Sequence, residues 1–142
     1  MNHTNVIVCL CLFLLAGCLR EPPTVSLLPD LSGEWINLSP GESYSITVME
    51  DQFGLSGTGT CHADFGTFGV IVSGSRRGKE VMLSCIYPQG MATNSFRCRI
   101  VAATPLGSTT NCPVLWDETR KVVFYRKQDL DLCSKGIALP NK

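Results

Sequence analysis

The chain has 142 residues, enough for one domain and too few for two ordinary ones. Twelve basic and twelve acidic residues cancel, so the positive field of a nucleic-acid binder is missing and no nucleic-acid partner is expected. Apolar residues make up 44% and charged residues 17%, a mixture that buries a core and excludes global disorder.

The first residues carry an address. Val6 to Gly17 is an uninterrupted apolar run. It is shorter than the roughly 20 residues of a membrane-spanning helix and matches the apolar core of a secretory signal. It ends in Leu15-Ala16-Gly17-Cys18, which resembles the lipobox of bacterial lipoproteins. The resemblance implies a signal peptide over 1–17, cut before Cys18, and acyl chains, palmitate among them, on the Cys18 thiol. Two acyl chains anchor stably where one does not. Met1 to Asn5 carries no Lys or Arg, a departure from the family's basic start. Leu19 rather than Asp follows the cysteine, which by the habit of these lipoproteins implies the outer membrane of a bacterial envelope. The alternative is a secreted or periplasmic soluble protein. Pro22, Pro23 and Pro29 make 18–30 a lipidated Cys plus a stiff tether. The folded domain is placed at 31–127 and a tail, with room for a short helix, at 128–142.

Within that domain no stretch holds a helical period. Strand-like runs follow one another instead: Gly33 to Leu38, Tyr44 to Glu50, Leu55 to Cys61, Thr67 to Arg76, Lys79 to Ile86, Ser95 to Val101, Ser108 to Trp116 and Lys121 to Lys127. Tyr44, Ile46 and Val48 alternate with Ser45 and Thr47, the pattern of a half-buried strand. Arg77-Gly78 reads as a hairpin turn, and Pro113, lacking an N–H, should interrupt its ladder. Eight short antiparallel strands in a meander predict an all-β fold, an up-and-down barrel that leaves no exposed edge. A two-sheet sandwich is the alternative.

Gly33-Glu34-Trp35 on the first run resembles the Gly-x-Trp motif that opens lipocalins and their calycin relatives. In that family the Trp plugs the closed end of the barrel and a late basic residue packs across its ring. The resemblance therefore implies a structural pair, Trp35 and Arg126. Gly33-x-Trp35-x-Asn37 with Gly57-Thr58 also looks like avidin, but Gly59 stands where avidins carry a ligand-binding Tyr. Biotin is not the expected ligand.

No catalytic constellation emerges, and the chain is read as a binding protein rather than an enzyme, with no cofactor and no metal. Cys61-His62-Ala63-Asp64 is the one clustering of reactive types. Neighbours on a strand point to opposite faces, so Cys61 and His62 do not form a nucleophile–base pair. Cys61, Cys85, Cys98, Cys112 and Cys133 are not at zinc-ligand spacing and read as disulfide candidates. Pairing Ile86 with Arg97 centres a turn on Met91-Ala92 and sets Cys85 opposite Cys98; Cys98 and Cys112 relate similarly about Pro105. The expectation is one bridge among Cys61, Cys85 and Cys98, a second from Cys112 to Cys133, and one thiol left over.

A barrel closed at Trp35 has its mouth at the other end, on the loops Ser39 to Ser43, His62 to Phe65, Tyr87 to Asn94 and Asp117 to Arg120. Ser39, His62, Asp64, Tyr87 and Trp116 are the candidate contacts there. The leading expectation is a lipid-anchored, lipocalin-like envelope protein binding a small apolar ligand in or at that mouth. The alternative is an interaction, inhibitor or assembly lipoprotein with a filled barrel that meets another envelope protein.

Overall fold

The computed structural model describes residues 28–88, 92–108, 110–133 and 136–138. The expected signal peptide, Cys18 and most of the expected tether lie outside them. Eight strands follow in chain order: β1 (Gly33–Asn37), β2 (Glu42–Asp51), β3 (Gly54–Ala63), β4 (Gly66–Arg77), β5 (Glu80–Ile86), β6 (Thr93–Pro105), β7 (Cys112–Asp117) and β8 (Val122–Arg126). Each pairs antiparallel with the next, and β1 pairs with β8, as in Trp35 opposite Arg126. The sheet is therefore a closed up-and-down barrel, not a sandwich. A single 3₁₀ turn (Lys127–Asp129), the helix α1 (Leu130–Cys133) and a two-residue strand β9 (Ile137–Ala138) follow it. Among the described residues no helix is long and apolar enough to cross a membrane.

The alternation seen in the sequence becomes inside and outside. Tyr44, Ile46, Val48, Val70, Val72, Val81, Leu83, Phe96, Leu115 and Phe124 fill the lumen together with Trp35. Tyr44, Phe96 and Phe124 meet across it with ring centroids 5.1–6.3 Å apart, so the barrel is packed and not hollow. Close approach of strands demands glycine on the inner wall. A Cβ on Gly57 or Gly59 would overlap the carbonyl of Thr47 or Ser45 on β2.

One end is shut by the segment entering β1. Leu31 is buried, its N–H donates to Glu50 Oε2, and its carbonyl accepts from Trp35 Nε1, both at 2.8 Å. Arg126 lies over the Trp35 ring, 5.2 Å from its centroid, and donates to the Asp30 carbonyl. Arg76 reaches the Pro29 carbonyl at 3.0 Å and the Glu50 carboxylate at 2.9 Å. The segment 29–31 is thus tied to four strands, β1, β2, β4 and β8, and the Trp35–Arg126 pair expected from the calycin resemblance is present.

Beyond that end β6 and β7 extend past the barrel. There Val101, Ala103 and Val114 face outward yet are buried, packed with Trp116, Val123 and Tyr125 into a second small core. On this side α1 lies against β6 and β8, and β9 pairs with β6. A disulfide from Cys112 to Cys133, Cα atoms 6.4 Å apart, holds the tail in place, as expected. Pro113 does not interrupt the strand. It sits opposite Ala102, one residue beyond the last β7–β8 pair, where β7 has a neighbour on one side only.

Two expectations about cysteines are corrected. Cys85 stands opposite Asn94, and Cys98 opposite Val81, because β5 and β6 pair Ile86 with Thr93 rather than with Arg97. The hairpin centre moves toward β5 by two positions, and the proposed Cys85–Cys98 opposition disappears. Cys61, Cys85 and Cys98 are all free and buried, so the bridge expected among them is not formed and three thiols remain rather than one.

Candidate functional site

The antiparallel path puts the β1–β2, β3–β4, β5–β6 and β7–β8 connections at the end opposite Trp35. These are the mouth loops expected from the sequence. The chemistry gathers on one side of that mouth, at the start of β2, the end of β3, the start of β4 and the β5–β6 connection. Here Glu42, Ala63, Phe65, Phe68, Tyr87, Ala92 and Asn94 line a hollow of about 280 Å³.

Its floor is a polar knot under an apolar rim. Glu42 shares the inward parity of Tyr44 and Ile46, and Asn94 that of Phe96, so both end strands whose next inward residue is core. Tyr44 Oη lies 2.8 Å, Tyr87 Oη 3.0 Å and Asn94 Nδ2 2.9 Å from Glu42 Oε1, and the Cys61 thiol points at the same oxygen from 3.6 Å. The second Asn94 N–H donates to Tyr44 Oη at 2.6 Å. The two phenol oxygens are 3.0 Å apart. Each phenol has a single proton, and with both directed at the carboxylate none is left for the contact between them. Burial, reinforced by this neighbourhood, pushes both phenols above their ordinary range, so they act as donors. Four donors converge on one oxygen with two lone pairs. Among the described residues none reaches Glu42 Oε2, and that oxygen is not among the buried atoms without a partner.

The rim is aromatic. Phe65 and Phe68 have centroids 5.4 Å apart, and Phe68 meets Tyr87 edge-on at 6.2 Å. Phe65, in the β3–β4 turn, is 84% exposed. Across the mouth Arg120 covers the Phe96 ring at 5.1 Å while its N–H donates to Asp117 Oδ1.

Of the five candidate contacts the structure brings one, Tyr87, to the hollow. His62 points outward, exposed, with Nδ1 2.8 Å from Thr67 Oγ1. Cys61 points inward, so the two occupy opposite faces as alternation requires. Asp64 is exposed in the turn. Ser39 closes a turn on Asn37, accepting from its Nδ2 at 3.0 Å while its own N–H donates to Asn37 Oδ1. Trp116 lies on the outer face with Val114, opposite Arg99 and Val123, because Leu115 takes the inward place. The residues that do form the hollow and its floor, Glu42, Asn94 and Phe68, sit at strand ends. Their signal in the sequence was parity with the core, a polar residue two places before Tyr44 and before Phe96.

Buried thiols adjoin this floor. Burial pushes Cys85 and Cys98 up to about 12, helped for Cys85 by Cys61 and for Cys98 by Asp117. Among the described residues no group of His, Cys, Asp and Glu is arranged to hold a metal ion. No family model, curated protein or solved structure matches the chain.

Proposed function

We propose that this chain is a lipid-anchored envelope protein that binds a small, mostly apolar ligand at the mouth of a filled barrel. The observation that carries the reading is the hollow at the mouth. Apolar rings form its rim, a hydrogen-bonded carboxylate its floor, and its size of about 280 Å³ is near the lower bound of small-molecule sites. The anchor rests on Leu15-Ala16-Gly17-Cys18 following an apolar run. Two measurements test the two halves. A Cys18→Ser chain should leave the membrane fraction and lose the acyl mass; retention at unchanged size removes the anchor. Protein taken from its native envelope should release a small molecule on denaturation, and Phe68→Ser should reduce its amount. An empty protein that also ignores apolar fluorescent probes removes the ligand.

A second reading, a protein-interaction module, draws on Leu38 and Phe65, 56% and 84% exposed on two mouth loops above a packed lumen. A partner present in equal amount with the native protein, lost with Phe65→Ser but kept with Phe68→Ser, would favour it.

A further inference from the structure

The mouth hollow combines two features that one class of ligand satisfies together, and a third feature shows the same chemistry already in use nearby. The assignment rests on the mouth-binding reading above. The first feature is an incompletely used carboxylate. Glu42 Oε1 takes all four described donors, and the described ion pairs are Arg76–Glu50, Arg99–Glu80 and Lys127–Glu34, none of them at Glu42. Its charge therefore has no basic partner among the described residues, and Oε2 opens to the hollow or to water.

The second feature is the unbroken series of rings, Phe65 to Phe68 to Tyr87, ending at that carboxylate. Ring faces attract cations, and several rings around a carboxylate suit an ammonium group. The third is that the mouth already uses this chemistry once: Phe96 holds the guanidinium of Arg120. No described cation occupies the rings beside Glu42.

The geometry points to a small organic cation, a primary amine or a quaternary ammonium, as the ligand of this hollow. The carboxylate balances its charge and the rings cover its methyl or methylene groups. An anion would meet Glu42 with like charge. A plain hydrocarbon would dry Oε2 without giving it a partner, at a cost that a cation removes.

The probe is choline, compared with its neutral analogue in which carbon replaces the nitrogen. Each is titrated into the full chain in maltoside micelles and followed by the methyl proton signal. Choline should saturate with a dissociation constant on the order of 1 mM or tighter, and the neutral analogue should bind about tenfold more weakly or worse. Glu42→Gln and Phe68→Leu should each weaken choline about tenfold with unchanged far-ultraviolet circular dichroism. Phe68 stands at the rim, so its variant keeps the test open should Glu42→Gln fail to fold. Equal binding of the two probes overturns the cation assignment and leaves mouth binding standing. Unchanged choline affinity in Phe68→Leu also overturns it. Binding of neither probe overturns the cation assignment, and the apolar fluorescent probes then decide whether mouth binding stands.

Discussion

Replacing Trp35 with Phe should cost the barrel about 3 kcal/mol, and the figure can be built from the closed end. Trp35 is 1% exposed and its Nε1 donates to the Leu31 carbonyl at 2.8 Å in a buried setting. Phe has no donor, so that carbonyl loses its partner, at about 1–3 kcal/mol. The smaller ring leaves space that the packed lumen only partly closes, adding roughly 1 kcal/mol. Arg126, 5.2 Å from the indole centroid, would face a weaker π-surface, adding some ~0.5 kcal/mol. A domain of this size has roughly 5–15 kcal/mol in total. Urea unfolding followed by tyrosine fluorescence should show the midpoint falling by about 2 M with the slope unchanged, taking a slope near 1.5 kcal/mol per M. Arg126→Met, combined with Trp35→Phe, should reveal a coupling of about 0.5 kcal/mol, the share of the cation–π contact that Phe does not keep. A midpoint shift below about 0.5 M, or no coupling, would refute the idea that Trp35 closes the barrel through the chain segment over it.

Three further outcomes follow from the cysteines. The thiols of Cys61, Cys85 and Cys98 should ignore a disulfide reagent in the native protein at neutral pH and react when it is unfolded; fast native reaction at any of them would contradict their burial. Cys85 and Cys98 have folded values near 12, above the ordinary 9.0, so the folded state holds their protons longer than the unfolded one. Their contribution is complete below pH 9 and declines as pH rises from there toward 12; urea midpoints at graded pH should fall over that window in the parent and fall less in Cys85→Ala with Cys98→Ala. Cys112→Ser should cost about 3 kcal/mol, the closure entropy of a loop with a sequence separation of 21, and peptide mapping without reduction should find Cys112 joined to Cys133 in the parent.

The barrel was legible because its strands keep strict alternation and most of its turns carry or border Gly, Pro or Asn. Most strand ends moved by only a residue or two, as where Tyr44 to Glu50 grew to Glu42–Asp51; the end of β6 and the start of β7, beside the Pro105 turn, each moved by four. Two kinds of information were not legible. Register across the β5–β6 hairpin depends on where a connection of several residues bends, and Pro88 to Thr93 holds no single turn signal strong enough to fix it. A shift of the hairpin centre by two positions moves the register by four and separates Cys85 from Cys98. The hollow was hidden for a different reason. A search of loops finds Ser39, His62 and Asp64, which the chain uses for turns and solvent. The mouth is lined instead by the last inward side chains of strands, where Glu42 and Asn94 look like polar breaks in a core pattern. Trp116 was placed with the mouth loops because it borders Asp117 to Arg120, but parity with Val114 puts it outside.

The segment that shuts the barrel also sets its bearing. Residues 29–31 leave the domain at the pole opposite the hollow, tied down through Arg76, Arg126 and Trp35. With the lipid on Cys18, as proposed, the pull of the anchor falls on that pole. The aromatic rim then looks away from the bilayer that holds the protein. On that proposal the mouth stands at least the length of the barrel from the anchored pole. It would sample solutes and surfaces of the aqueous compartment rather than lipids of its own leaflet.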